Sequence, residues 1–186
     1  MELGLRFKPP SILLNKVKYS ATTELIEEIH ADTSFTPTER LYIIQAAKEW
    51  ELFSNNRIKF NIIFDLNLVD YSLMANKSTI IRVHSSSNVV KCMDEKNKYN
   101  TLGLCYYSSD TIRTIYIVFD RLNDYNLFKL VAMHELGHYI NLEHTEGNSI
   151  MNMYIKGNRY YPSYIDAVEY GSKWNVNPKD CKYMIF

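Results

Sequence analysis

The sequence predicts an α+β domain, and three observations predict it. Residues 36–53 carry a helix with both a start signal and an apolar stripe. From Ile58 onward the apolar spacing shortens to two, the period of a strand. A helical pattern then returns near Asn123 and runs into a cluster of histidines. A chain of 186 residues is expected to form one domain with a core of its own.

Taken in order, residues 1–35 are expected as an N-terminal arm or extension, in which 22–30 reads as a short helix or as an arm packing on a neighbour. Thr36-Pro37-Thr38-Glu39 opens the first clear helix: Thr36 caps, Pro37 suits the first turn, and Glu39 reaches back to the cap. Leu41, Ile44, Ala47 and Trp50 or Glu51 supply its apolar stripe, and it ends at 53–55. Ile58, Phe60, Ile62, Phe64 and Leu66 alternate with Lys59, Asn61, Ile63 and Asp65, which predicts a strand with one buried face. Residues 78–83, 102–107 and 114–119 read as three more strands, and 85–100 as a polar loop. The histidine-bearing helix is expected over 123–141, with Leu127, Leu130, Val131 and Ala132 on its apolar side. Residues 162–171 open with Pro and Ser and close with Gly, so they read as a short last helix.

Composition excludes some classes. Formal net charge is 0, so there is no basic field for nucleic acid, and no such partner is expected. No apolar run approaches the roughly 18 residues of a membrane span, so no membrane partner is expected either. The run at Ile12–Leu14, set between Pro9-Pro10 and Lys16, is too short for the core of an export signal. The expected location is therefore cytoplasmic or within an assembled particle. Cys92, Cys105 and Cys181 lack CxxC spacing and read as free thiols, with one disulfide as the alternative.

Chemistry concentrates in His134-Glu135-Leu136-Gly137-His138-Tyr139-Ile140-Asn141-Leu142-Glu143-His144. His134 and His138 lie one helical turn apart, so both can reach one ion. Glu135 sits beside the first ligand, placed to act as a general base on water. A straight helix would carry His144 about 240° away from that face. It joins the site only if the helix stops, and Asn141 tolerates the left-handed conformation that stops one. Three protein ligands and an open fourth position describe a catalytic zinc site. His30 and His84 lie outside this pattern and read as structural or exposed.

With HExxHxxNxxH at 134–144 and Ser149-Ile150-Met151 behind it, the chain resembles the metzincin zinc peptidases, and among them the matrixins. The resemblance covers roughly residues 36–171. It implies a zincin-like fold: a mixed twisted sheet of about four to five strands, a backing helix, an active-site helix, and a small C-terminal subdomain with a final helix. The catalytic domain would span 36–186, with its upper part at 36–144 and its lower part at 145–186. It further implies that His134, His138 and His144 bind Zn2+, that Glu135 is the base, and that Met151 forms a floor under the metal, its alternative being a core residue. Asn141 stands where the family carries Gly. Tyr154 lies three residues past Met151 rather than two, so packing is its default role and an oxyanion or pocket role the alternative. Tyr160 and Tyr161 are weaker pocket candidates. No cysteine-switch segment is recognisable, so any restraint is left to residues 1–35.

The expected function is a zinc-dependent endopeptidase that binds a protein or peptide substrate extended across its cleft, with 102–107 as the sheet edge that the resemblance implies for it. The alternative is a structural or assembly component of a larger complex that retains the fold, with partners contacting its termini.

Overall fold

The computed structural model describes residues 25–67, 76–97, 100–109, 112–154 and 161–183. Its elements are β1 (Leu25–Asp32), α1 (Pro37–Phe53), β2 (Ile58–Leu66), β3 (Thr79–Val83), α2 (Asn88–Asn97), β4 (Gly103–Tyr107), β5 (Arg113–Val118), α3 (Tyr125–Tyr139) and α4 (Tyr164–Trp174). The five strands form one mixed sheet in the order β2-β1-β3-β5-β4. β2, β1, β3 and β5 run parallel, and β4 closes the far edge antiparallel to β5. The fold is thus the α+β arrangement expected, with a mixed sheet and a backing helix.

The start signal of α1 behaves as its residues dictate. Thr36 Oγ1 accepts from the Glu39 N–H, and Glu39 Oε2 accepts from the Thr36 N–H at 2.7 Å. Glu39 also takes a two-pronged ion pair from Arg82 on β3, which locks the helix start to the sheet. Trp50 is fully buried, and its indole N–H donates to the Met133 carbonyl of α3 at 2.7 Å. α1 and α3 pack on each other and on the sheet, and Phe53, Tyr170 and Trp174 extend this core edge-to-face and stacked into α4.

Three expectations are corrected. Residues 25–30, read as part of a short helix or of an arm packing on a neighbour, fall instead in β1, an internal strand between β2 and β3. Leu25, Ile26 and Ile29 fit a helical spacing, and Glu favours helices, but parallel pairing on both sides decides the outcome. The segment expected as an arm therefore places these residues inside the sheet. The stretch 85–100, read as a polar loop, contains α2: Ser87 Oγ accepts from the Val90 N–H, and Val90 and Met93, one turn apart, are buried. The stripe of α1 is rotated from the one expected. Ile43, Ala46, Ala47, Trp50 and Phe53 face inward, while Leu41 and Ile44 are 52% and 40% exposed. Both sets fit the helical period, and the larger aromatic volume takes the core. The run at 12–14, Tyr160 and residues 184–186 lie outside the described residues. Among the described residues, no helix is long and apolar enough to cross a membrane.

Trp50 joins two helices by packing and by a hydrogen bond. Trp50→Ala is expected to lower stability by about 3–5 kcal/mol, read from denaturant unfolding. A loss below about 1 kcal/mol would show that the indole does not tie α1 to α3.

Candidate metal centre

α3 begins at Asp124, whose carboxylate accepts from the Asn126 N–H at 3.0 Å. From Leu130 to Tyr139 every residue is buried, so the helix drives its histidines into the core. It stops where the sequence predicts. Asn141 adopts a φ of 68°, the left-handed region. Its N–H donates to the His138 carbonyl at 2.9 Å, and the Leu142 N–H donates to the Gly137 carbonyl at 3.0 Å. These two bonds are the pair that closes a helix through a left-handed residue. The chain reverses, and His144 Nε2 comes to 3.0 Å from His138 Nε2 and 3.2 Å from His134 Nε2.

The opposite ring nitrogens define the chemistry of this cluster. His134 Nδ1 lies 2.8 Å from the Ile150 carbonyl, and His138 Nδ1 lies 2.8 Å from the Leu142 carbonyl. A carbonyl can only accept, so both Nδ1 atoms carry the hydrogen and both Nε2 atoms present lone pairs when the rings are neutral. Lone pairs converging on one point repel unless a proton on His144 Nε2 or a metal cation lies between them. Zinc–nitrogen bonds of about 2.0–2.1 Å in tetrahedral geometry put ligand nitrogens about 3.3–3.4 Å apart. The spacing here is close to that, and the three residues form a group able to hold a metal ion. Burial first, and the two neighbouring imidazoles second, hold His134 well below its ordinary value of 6.5. It is therefore neutral and available as a ligand near pH 7.

Glu135 is wholly buried, and neither carboxylate oxygen has a hydrogen-bond partner. Burial pushes this carboxyl well above its ordinary range. The Cys105 amide opposes the shift but does not reach hydrogen-bond geometry. Two orphaned buried oxygens are costly in a folded protein. Gly103, the first residue of β4, makes the room: a Cβ there would stand 2.6 Å from Glu135 Oε1.

One participant escaped the sequence reading. Asp166, in the first turn of α4, is fully buried. It accepts from the Ile150 and Met151 N–H groups at 3.2 Å, and from Ser149 Oγ, Ser163 Oγ and the Ser163 N–H. It therefore fixes the turn whose Ile150 carbonyl orients His134. Ser163 and Asp166 are legible as a helix start, but the reach to residues 149–151 depends on tertiary placement. Met151 is fully buried, and a Cβ at Gly137 would collide with its sulfur and stand 3.0 Å from Trp50 Cζ2. α3 can thus lie directly on Met151 and Trp50.

The remaining candidates lie elsewhere. Tyr154 is 39% exposed, with its N–H donating to Asn152 Oδ1. The Tyr161 ring lies 5.1 Å from Lys129 Nζ. His30 is buried, with its ring nitrogens 2.7 Å from Asp65 and 3.1 Å from Glu28, and His84 is exposed beside Ser86. All three cysteines are free thiols.

Asp166→Asn should turn an amide N–H₂ towards donors. We expect a loss of about 2–4 kcal/mol in the metal-free protein, read by thermal or denaturant unfolding. Unchanged stability would mean that the 149–151 turn holds itself.

No protein-family model and no curated protein sequence matches the chain. Among solved structures it is similar to one of myroilysin at 13% identity and a TM-score of 0.49, which covers 86% of this chain and 97% of that one. A second structure of myroilysin matches at 10% identity and a TM-score of 0.48, covering 89% of this chain and 97% of the other.

Proposed function

We propose that the chain is a zinc-dependent endopeptidase of the metzincin type. The observation that carries this reading is the convergence of three imidazole Nε2 atoms beside a buried carboxylate that has no partner. His134, His138 and His144 would hold the ion, with the carbonyls of Ile150 and Leu142 setting the ring orientation of the first two. A bound zinc ion supplies Lewis acidity at a carbonyl oxygen and acidifies a water. Glu135 takes the proton of the attacking water and delivers it to the leaving nitrogen. A carboxyl whose proton affinity burial has raised is suited to both steps. β4 is an edge strand, and Cys105 on it lies beside Glu135, so an extended peptide can add main-chain bonds to its outer side. On sequence position, Tyr154 is the candidate for an oxyanion or pocket contact.

The test pairs zinc content with cleavage of a mixed peptide library by the wild type and by Glu135→Gln. We expect stoichiometric zinc in both and a fall of about 10²–10⁴-fold in cleavage for the variant. Undiminished cleavage by Glu135→Gln, or a folded wild type that takes up no zinc, would overturn the reading.

Acid should release the ion. Because the folded-state value of His134 is depressed below 6.5, the unfolded chain binds more protons than the folded one once the pH falls beneath that value. This group adds no pH dependence above 6.5, and its contribution to stability is lost as the pH falls from there towards its lowered value. Protons also compete with metal for each Nε2. Dialysis followed by metal analysis should show loss of zinc below about pH 6.5; stoichiometric zinc at about pH 4 would contradict three histidine ligands.

A further inference from the structure

We infer that Arg113 is a positioning residue for the metal centre, acting through Asn141. The inference rests on the reading of the three histidines as a metal site. A single backbone conformation, φ 68° at Asn141, has two consequences for that site. It brings the Leu142 carbonyl to His138 Nδ1, and it returns His144 to within 3.0 and 3.2 Å of the other two imidazoles. A small rotation at this residue would disturb one ligand and the orientation of another together. Glycine adopts this conformation freely; asparagine tolerates it, at some strain.

The Asn141 side chain is tied to the sheet. Arg113 Nη2 donates to Asn141 Oδ1 at 3.0 Å. Arg113 is the first residue of β5, and its backbone N–H donates to Ser78 Oγ at 3.3 Å. Its guanidinium lies over two rings, with Cζ 5.1 Å from the Tyr107 centroid and 5.0 Å from that of Tyr139. Those rings are fixed in turn. The Tyr107 hydroxyl donates to the His138 carbonyl, and the Tyr139 hydroxyl donates to Glu27 Oε2 at 2.8 Å. The guanidinium thus links β4, β5 and the end of α3, and its Nη2 holds the turn residue. Lysine has neither the plane to lie on the rings nor a second nitrogen to reach Asn141 from that position. Arg113 and Asn141 together do what a glycine at 141 would do alone.

This predicts coupling between the two positions, which a merely structural arginine would not show. The readouts are zinc affinity by competition with a chromophoric chelator, the visible absorption of the Co2+-loaded protein, and thermal unfolding of the metal-free protein. Arg113→Ala should weaken zinc binding about 10–100-fold and alter the Co2+ spectrum. Arg113→Met, which keeps an apolar stem against the rings but removes the donor, should do the same and guards against a variant that fails to fold. In an Asn141→Gly background either change should cost less than about 3-fold, because the acceptor is gone and the turn no longer needs it. Equal losses in both backgrounds, or full zinc affinity in Arg113→Met, overturn the inference while leaving the metal site standing. A wild type that binds neither ion overturns the metal reading and this inference with it.

Discussion

Two main-chain carbonyls, those of Ile150 and Leu142, determine what the histidines can do. Each accepts from an Nδ1, and each thereby aims an Nε2 lone pair into the same space. Neither carbonyl belongs to α3. The first comes from a turn pinned by the buried Asp166 at the start of α4, the second from the turn that Asn141 makes after the helix ends. The geometry of a side-chain cluster is thus delegated to backbone, and the backbone to tertiary contacts. Rotation of either imidazole would break a buried hydrogen bond, so the backbone holds both rings in place.

Close approach is the second requirement, and two glycines supply it on different sides of the same helix. Gly137 lets α3 rest on the Met151 sulfur and the Trp50 ring, while Gly103 lets β4 lie against Glu135. The two contacts do different things. Packing against Met151 and Trp50 extends one continuous core through α1, α3 and α4 and supports the turn behind His134. Space at Gly103 accommodates a buried carboxyl with no hydrogen bond, a group that lowers stability. The fold carries both without separating them.

Much of this was legible in the sequence, for local reasons. The capping box at Thr36 and Glu39, the alternation from Ile58 to Leu66 and the four-residue spacing of His134 and His138 are short-range patterns, and each appears where it was expected. Asn141 was legible for the same reason, since a left-handed stop is a property of one residue and its neighbours. What could not be read is what tertiary pairing decides. β1 looks locally helical and becomes a strand because parallel partners flank it on both sides. Asp166 looks like an ordinary helix start and also serves a turn some fifteen residues earlier. Arg113, one residue before the strand expected at 114–119, reaches Asn141 only because β5 begins beside the end of α3.

The alternative of a scaffold that merely keeps the fold has to account for Glu135. A buried carboxyl with both oxygens orphaned lowers stability, and the loss is greater if it is charged. A structural metal site is closed by a fourth ligand, and metal affinity in such a site contributes directly to folding. Among the described residues the group of possible ligands has three members, and Glu135 is adjacent in sequence to the first of them. A scaffold would be steadier with a leucine in that position, filling the same space beneath Gly103 without a desolvated carboxyl. What a leucine could not do is exchange a proton with water brought to the imidazoles. The buried carboxyl without a partner is what supports the proposed catalytic reading over the scaffold, and its energetic cost is the physical reason for ranking the two in that order.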